Sequence, residues 1–427
     1  MIATAILALL ALLATSVAVA ASIIALGLLL GAVYSAFPVH LAMGEVLWSA
    51  SNSFLLIAIP LFVLIGEILV RAGLAAKMYR AMELWLSWLP GGLLHANIGT
   101  ATLFSATSGS SVATAAIVGS VAMPQAKELG YDQRLFAGSI AAGGTLGILI
   151  PPSISLIIYG FLTQTSVPKL FAAGLLPGFL LALMFMLCTA LICIINPKAG
   201  GPRRHYDWPM RIRALIHLVP IVVLFGLIVG PIYAGWATPT EGAALGVVGA
   251  LVIAATIGTL NVRMLIEVLD GTMRTTGMIL LIVVAAYYLN YVLAVIGINI
   301  RIEEFVRSSG LGPFETLMMV ILLYFILGLF IETISLLVIT VPIVFPIMMS
   351  VGYDPVWFGI LVILMIELAL ITPPVGLNLF VVQSVRTEGK FRDVVVGAIP
   401  YVGVMIVAVI GLVVFPEIAT FLPGVLD

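Results

Sequence analysis

The sequence predicts an all-α polytopic membrane protein with two inverted-topology repeats, each holding a re-entrant helical hairpin and a transmembrane helix broken by a Pro-Pro pair. Three observations lead to this fold class. The 427 residues are 63% hydrophobic and 9% charged, whereas soluble proteins carry about 25% charged residues. Apolar stretches of about 20 residues, enough to cross a bilayer, recur along the chain. Two of these stretches contain a Pro-Pro pair, at positions that differ by 222 residues.

The two Pro-Pro pairs, Pro151-Pro152 and Pro373-Pro374, interrupt the helices that contain them. Proline lacks a backbone donor and its ring clashes with the preceding turn. It also moves the residue before it out of helical geometry. Because lipid satisfies no backbone group, such breaks persist only where they line a cavity inside the protein. Paired breaks in two halves of one chain indicate the binding site of a secondary transporter.

The apolar stretches, taken in order, define the membrane segments. Residues 2–36 hold one long or two shorter segments. Ala18-Val19-Ala20 resembles a signal-peptide cleavage site, but the stretch has no basic start and continues past Leu30, so a retained membrane segment is expected. A polar interruption occupies 71–92. The remaining predicted spans are 53–70, 171–196, 214–234, 240–260, 275–299 and 396–420.

Two apolar regions predict hairpins instead of spans. Residues 93–125 contain the polar cluster 107–111, which leaves two segments of about 15 residues, each too short to cross a bilayer comfortably. Residues 315–350 repeat this pattern around 330–333. A re-entrant hairpin is therefore expected in each region. The broken helices are predicted at 135–164 and 356–385, directly after the hairpins.

An internal repeat relates these elements. At a fixed offset of 222 residues, 8 of the 29 positions in 124–152 are identical to their counterparts, where about 2–3 would match by chance. The matches include Gly130-Tyr131-Asp132 with Gly352-Tyr353-Asp354. Both motifs could be ordinary loop punctuation, but their matched spacing favours a repeat. We predict a first repeat over 1–210 and a second over 211–427.

Basic residues predict the orientation. If the loop 197–213 faces the cytoplasm, 15 of the 18 Lys and Arg residues lie on that side, and only Lys169, Arg301 and Arg307 lie opposite. This distribution satisfies the positive-inside rule and gives the two repeats opposite topology. The net charge of -1, without a basic run, gives no electrostatic footprint for nucleic acid.

Helix ends at mid-membrane depth are the candidate sites. Helix N-termini suit a carboxylate, and unwound carbonyls suit Na⁺. Close helix packing would also favour small residues here and remains an alternative. The candidate cation ligands are Ser108, Gly109, Ser110, Ser111, Gly143, Gly144, Thr145, Glu332, Thr333, Ser335, Thr372 and Gly376. The candidate substrate-binding residues are Ser110, Ser111, Pro151, Pro152, Ser153, Pro373, Pro374 and Asn378.

Four acids lie in or beside apolar runs, where a carboxylate is a functional hypothesis by default. Glu332 is the strongest, because it lies at a predicted hairpin tip, and it could be a cation ligand, a gate contact or a proton carrier. Glu241 is expected to lie in the first turn of a helix capped by Thr238 or Thr240. Glu67 and Glu367 are expected to be either functional or buried with hydrogen bonds.

Enzymatic chemistry has no support in the sequence. It contains no HExxH motif, its four histidines form no cluster with acids, and no Walker-type loop is present. We therefore expect no enzyme, no cofactor and no transition metal. Transport energy would come from an ion gradient or from another subunit.

The motifs SATSGSSVATAAIVGSVAMPQAKELGYD, AAGGTLGILIPPSISLIIYG, TPTEGAALG, GLFIETISLLVITVPIVFPIMMSVGYD and LITPPVGLNLFVVQS resemble those of the large membrane subunit of tripartite ATP-independent periplasmic (TRAP) transporters, the DctM-type permease. The resemblance covers essentially the whole chain. It implies an elevator-type transporter in a bacterial or archaeal inner membrane that takes up an organic acid together with Na⁺. The implied cation sites are Ser108–Ser111 with Gly143–Thr145, and Glu332–Ser335 with Thr372–Gly376.

The resemblance also implies two partners. These are a small four-helix membrane subunit of DctQ type and a periplasmic substrate-binding protein of DctP type. No four-helix block precedes or follows the repeats, so we expect the lone chain not to transport. The alternatives are a stand-alone anion symporter of related hairpin architecture, coupled to Na⁺ or H⁺, and a channel or scaffold without Na⁺ dependence.

Overall fold

The computed structural model describes residues 4, 7, 8, 11, 12, 17–202, 206–298, 300, 301, 304 and 310–426. Within these residues the chain is helical and contains no β-strand. Arg307 and most of the segment 2–16 lie outside the described residues. The helices are α1 Val19–Tyr34, α2 Met43–Ser51, α3 Ala58–Arg71, α4 Leu74–Leu86, α5 Leu93–Ser108, α6 Ser111–Glu128, α7 Gln133–Gly144, α8 Ile154–Thr163, α9 Val167–Ile195, α10 Trp208–Ala214, α11 Val219–Tyr233, α12 Pro239–Ile257, α13 Val262–Val295, α14 Pro313–Gly328, α15 Thr333–Ser350, α16 Pro355–Leu370, α17 Leu377–Ser384, α18 Phe391–Val414 and α19 Glu417–Leu426.

The predicted membrane architecture is confirmed. In the described part of the chain, six helical segments are long and apolar enough to cross a membrane, or seven if α10 and α11, which meet at a 41° bend, form one span. The hairpins are α5–α6 and α14–α15, and the broken helices are α7–α8 and α16–α17. In the N-terminal region, residues 17 and 18 are not helical, and α1 begins at Val19.

Three boundaries differ from the sequence prediction, each for a local reason. The polar interruption 71–92 contains α4, which buries Leu74, Met78 and Tyr79. Its Lys77 and Arg80 are exposed, whereas Glu83 is buried and pairs with Arg80. Helix α13 begins 13 residues before the predicted 275, because Asn261 caps it by accepting from the Met264 amide at 2.9 Å. The last span ends at Val414 instead of 420, since Pro416 keeps Phe415 out of helical geometry.

The offset of 222 residues relates helix ends as well as residues. Helix α6 begins and ends at positions equivalent to those of α15, and both Pro-Pro bonds are cis. The shared Gly-Tyr-Asp motif has the same role in both copies. Asp132 caps α7 by accepting from the Arg134 amide at 2.8 Å, and Asp354 caps α16 by accepting from the Val356 amide at 2.9 Å.

The contacts between the two repeats show a twofold symmetry, in which equivalent helices make equivalent contacts. Helix α1 packs against α13, and their counterparts α12 and α3 pack against each other. Likewise α8 packs against α15, and α17 packs against α6. Each contact therefore recurs with the repeats exchanged, as in an isologous interface. The hairpins and broken helices meet in the middle of the protein, with α3 and α13 beside them.

Candidate functional site

The tip of the first hairpin is a tight, self-capped turn. Helix α5 ends at Ser108, and Gly109 follows with φ of +58°, a conformation that favours glycine. Ser110 then caps α6: its hydroxyl accepts from the Ala113 amide at 3.3 Å, and its carbonyl accepts from the Thr114 hydroxyl at 2.8 Å. Ser108 and Ser111 are buried. The N-terminus of α6 is thus held inside the protein.

The second tip has the same design with a charged cap. Glu332 occupies the position equivalent to Ser110, and its carboxylate accepts from the Ile334 and Ser335 amides, both at 3.1 Å, and from the Ser335 hydroxyl at 3.2 Å. Glu332 is exposed, whereas Ser108 and Ser111 at the first tip are buried. Among the described residues it forms no ion pair with Lys or Arg. Within the described residues, the Ile334 and Ser335 amides at the start of α15 and the Ser335 hydroxyl stabilise its negative charge.

Both tips face one cavity of about 410 Å³. Helices α3, α8 and α13 and the starts of α6 and α15 form its walls. The described lining residues include two carboxylates and no Lys or Arg. They are Val63, Gly66, Glu67, Val70, Ser108, Gly109, Ser110, Ser111, Val112, Ala113, Ala116, Ile117, Ile148, Ile154, Ser155, Thr275, Met278, Ile279, Glu332, Thr333, Ile334 and Leu377.

The cavity extends from the tips toward the basic side of the protein. Along α6 it follows Ala116 and Ile117 in the direction of Lys127. Along α3 it reaches Glu67 and Val70, in the last turn before Arg71. Under the positive-inside assignment, this is the cytoplasmic side.

The first broken helix lies directly behind the first tip. Pro151, Pro152 and Ser153 are buried, and the Ser153 hydroxyl caps α8 by accepting from the Leu156 amide at 3.4 Å. A Cβ placed on Gly109 would lie 3.3 Å from the Pro152 carbonyl oxygen, so tip and break are in contact. Gly143 and Gly144 end α7, and the Thr145 hydroxyl donates to the Ala142 carbonyl at 2.6 Å.

The second broken helix is more open. Pro373 and Pro374 are exposed, and the Thr372 hydroxyl donates to the Leu368 carbonyl at 2.6 Å. Asn378 is fully buried and reaches into the first repeat, where its amide donates to the Ala141 carbonyl at 3.4 Å. Its Oδ1 has no hydrogen-bond partner within the described residues. The amide nitrogen of Asn378 lies beside Gly144, since a Cβ placed on that glycine would be 3.1 Å from Nδ2.

A second contact between the repeats involves a carboxylate. The Ser111 hydroxyl donates to Oε1 of Glu367, which is fully buried in α16. The other oxygen, Oε2, has no partner in the part of the chain that the structure describes. Of the two alternatives for Glu367, burial with a hydrogen bond is confirmed. Together with Asn378, Glu367 ties the first tip and α7 to the second repeat.

The remaining acids have clear partners. Glu67 pairs with Arg71, one turn later on α3. Glu241 forms a capping box with Thr238: the Thr238 hydroxyl accepts from the Glu241 amide at 3.3 Å, and the Glu241 carboxylate accepts from the Thr238 amide at 2.7 Å. The prediction that Glu241 belongs to a capped first turn is therefore confirmed.

The predicted site residues fall into two groups. Ser108–Ser111, Glu332 and Thr333 line the cavity. The other predicted site residues lie outside the cavity lining. They are Gly143, Gly144, Thr145, Pro151, Pro152, Ser153, Ser335, Thr372, Pro373, Pro374, Gly376 and Asn378. The wall contributed by α13 was not predicted, because Thr275, Met278 and Ile279 carry no distinguishing sequence pattern. Which residues bind ion or substrate stays a prediction.

Comparison with known families agrees with this architecture. Residues 6–418 match the family described as the DctM component of the tripartite ATP-independent periplasmic transporter. The chain belongs to the DctM component family. A DctM-family chain is a permease, and the family description makes it one component of a tripartite, ATP-independent transport system.

Relatives of the DctM-family chain share nearly its full length. It is 34% identical to the C4-dicarboxylate TRAP transporter large permease protein DctM of Vibrio cholerae serotype O1, over 90% of this chain and 89% of the relative. It is 31% identical to the sialic acid TRAP transporter large permease protein SiaM of the same organism, over 87% of each chain.

A solved structure supports the fold. The Alcanivorax borkumensis YdaH transporter, described as having an unusual topology, superimposes with a TM-score of 0.63 at 15% identity and covers 88% of this chain and 87% of its own. At that identity the likeness concerns the fold alone.

Proposed function

We propose that the DctM-family chain is the large transmembrane subunit of a Na⁺-coupled secondary transporter that imports an organic acid. The observation that supports this proposal is the single cavity shared by the two hairpin tips. Two helix N-termini, those of α6 and α15, begin at its wall. Such termini offer amide donors and positive partial charge, which suit a carboxylate. At α15 the Glu332 carboxylate already accepts from the Ile334 and Ser335 amides, so α6 is the terminus proposed to meet the substrate.

Na⁺ is the proposed coupling ion, because hard cations prefer oxygen ligands. The tips and breaks supply hydroxyl and carbonyl oxygens, and Asn378 Oδ1 is a buried acceptor without a partner in the described chain. One proposed site lies at Ser108–Ser111 with Gly143–Thr145. The other lies at Glu332–Ser335 with Thr372–Gly376, where Glu332 would supply the negative charge.

An organic acid is the proposed substrate class. Two relatives are named as transporters of a C4-dicarboxylate and of sialic acid, which are both acids. Residues proposed to meet the substrate are Ser110 and Ser111 at the first tip, with Asn378 and both Pro-Pro breaks behind them. Import would proceed by an elevator movement of the hairpins and broken helices past α3 and α13.

The proposed assembly follows from the tripartite family description. A DctQ-type small membrane subunit would complete the membrane part, and a DctP-type periplasmic protein would deliver the substrate. The chain would lie in the inner membrane of a bacterium or archaeon, with its basic loops in the cytoplasm.

Reconstituted uptake tests this proposal. The chain is purified with its small subunit, incorporated into liposomes and supplied with the binding protein and radiolabelled organic acids. Na⁺ and pH gradients are then imposed separately. We expect uptake only with an inward Na⁺ gradient and all three components. Uptake driven by the pH gradient alone would contradict Na⁺ coupling, and uptake by the lone chain would instead establish a stand-alone symporter.

A further inference from the structure

An ion pair lies where the cavity approaches the basic side. Glu67 is part of the cavity wall, and Arg71 donates to its Oε2 from Nη1. Arg71 also lines a second cavity of about 370 Å³, together with Arg263 and Glu267. The pair therefore connects the wall of the central cavity with the wall of the second cavity.

Glu67 and Arg71 differ in their other contacts. Glu67 is wedged against α13, since a Cβ on Gly271 would lie 2.7 Å from its Oε2. Arg71 has a weaker second contact, with Nε 3.9 Å from Oε2 of Glu267. A guanidinium carries five N–H donors in a planar fork, so these contacts leave donors for another ligand. The Arg71 side chain is 27% exposed and lines the second cavity, so a small molecule there can approach its guanidinium.

Arg71 is a cationic group paired with a residue of the central cavity wall. The described lining of the central cavity holds two carboxylates and no basic side chain, so an organic anion finds no ionic partner within it. Arg71 lies next to this lining and is paired with Glu67 and, more weakly, with Glu267. Arginine binds carboxylates through paired hydrogen bonds and does so more specifically than lysine.

We propose that Arg71 binds the carboxylate of the transported organic acid at the basic-side end of the cavity, and that Glu67 competes with that acid for the guanidinium. This inference rests on the proposed function, because it assumes an anionic substrate. In this arrangement the substrate leaves the tips by displacing Glu67 from Arg71. The Glu67–Arg71 pair re-forms once the substrate has left, so the released substrate is less readily bound again.

The proposal requires opposite effects from the two partners. Arg71→Gln removes the anion-binding group and leaves Glu67 as an unpaired negative charge, so anion binding should weaken roughly 10- to 100-fold. Glu67→Gln frees Arg71 from its competitor, so anion binding should strengthen. A purely structural ion pair predicts the same direction for both variants, because each one breaks the same contact.

The test uses the full chain with its small subunit in lipid nanodiscs. Melting temperature is measured against succinate concentration, and separately against sialic acid concentration, at constant Na⁺ and ionic strength. Arg71→Lys, Arg71→Gln and Glu67→Gln are compared with wild type. Asp270→Asn and Arg274→Gln serve as matched controls, since they break another i,i+4 pair, on α13, whose side chains are 59% and 80% exposed.

We expect the half-saturating anion concentration to rise in Arg71→Gln, to rise less in Arg71→Lys, to fall in Glu67→Gln and to stay constant in both controls. Equal midpoints in wild type, Arg71→Gln and Glu67→Gln would overturn the inference and leave the proposed function intact. Changes in the same direction in both partner variants would also overturn it. If wild type shows no anion-dependent shift, the inference falls, and the uptake experiment decides separately whether the proposed function survives.

Discussion

Ser110 and Glu332 occupy equivalent caps in the two hairpins, and only one of them is charged. The Glu332 carboxylate serves two amides of α15 and lies at the cavity wall without a basic partner in the described chain. A carboxylate at this position both caps the N-terminus of α15 and attracts a cation. These two roles can be separated by substitution, because an uncharged side chain can still accept from the amides.

Glu332→Gln should therefore remove Na⁺-driven uptake while changing stability little, since the amide oxygen can still cap α15. Glu332→Ala should also remove uptake and in addition destabilise the protein by about 1 kcal/mol. Uptake and melting temperature are measured on the same preparations. Ser350→Ala, at the other end of α15, is the control. Wild-type uptake in Glu332→Gln would contradict a cation role for this residue.

The Ser111–Glu367 contact joins the first tip to the second repeat inside a fully buried environment. Ser111→Ala leaves the Glu367 carboxyl without its donor, which should destabilise the protein by about 1–3 kcal/mol. Replacing both residues, with Ser111→Ala and Glu367→Met, should cost less than the sum of the single changes by about 0.5–3 kcal/mol. Denaturation in mixed micelles measures all four proteins, and additive effects would mean that the contact carries no coupling.

At the scale of elements, the hairpins and broken helices could be predicted because proline, glycine and polar residues mark backbone breaks locally. The predicted tips at 107–111 and 330–333 meet the observed helix ends at Ser108 and Thr333. Contacts between elements could not be predicted in the same way. Ser111 and Glu367 are separated by 256 residues, and nothing near either residue specifies its partner.

The wall contributed by α13 illustrates the same limit. Thr275 and Met278 resemble any other residues of a long apolar helix, and only the packing of α3 against α13 brings them to the cavity. The Glu67–Arg71 pair, by contrast, has the i,i+4 spacing that places two side chains on one helix face. That pair was accessible to sequence reasoning, whereas its position at the cavity was not.

Helices α7 and α18 cross at two glycines. A Cβ on Gly397 would lie 1.8 Å from the Arg134 carbonyl oxygen, and one on Gly138 would lie 2.0 Å from the Gly397 carbonyl oxygen. Gly397→Ala should therefore separate the helices and destabilise the protein by about 3 kcal/mol or more. Gly403→Ala is the matched control, because a Cβ at Gly403 on the same helix meets nothing within 4 Å. Equal melting temperatures for the two variants would contradict this packing.

At the scale of the whole molecule, ion pairs connect the repeats on the basic side. Lys127, at the end of α6, donates to both carboxylate oxygens of Glu388 at 2.8 Å, in the loop before α18. This hydrogen bond, and the charge of Lys127, lower the pKa of Glu388 below its usual 4.5. Because the folded-state pKa is the lower one, the pair stabilises the protein above about pH 4.5, and the effect disappears as pH falls through the folded-state value.

Wild type should accordingly melt at a slightly higher temperature than Glu388→Gln at pH 7, and the difference should shrink as pH falls below 4.5. The difference should also shrink at high salt, since both side chains are exposed. Melting curves at pH 3.5, 5 and 7 provide the measurement. A difference that persists unchanged at pH 3.5 would mean that the carboxylate charge is not its cause.

The proposed elevator movement requires the hairpins and broken helices of both repeats to move together relative to α3. Val70 on α3 and Ile117 on α6 line the same cavity, and in the proposed movement they would belong to the fixed and the moving part of the protein. Lys127 and Glu388 lie in different repeats, and both would belong to the moving part. A cross-link between the first two residues should therefore stop transport, and one between the second two should not.

This prediction is tested with Val70→Cys/Ile117→Cys and Lys127→Cys/Glu388→Cys, each in a background where Cys188 and Cys193 are replaced by alanine. A bis-maleimide whose spacer contains a disulfide joins each pair, and reduction releases it. We expect the first cross-link to abolish Na⁺-driven uptake and reduction to restore it, because a rigid tie prevents the change of exposure on which alternating access depends. The second cross-link should leave uptake near the level of the reduced protein. Full uptake with Val70 and Ile117 joined would show that the hairpins do not travel past α3, and the transport cycle would then have to operate by local opening of the tips.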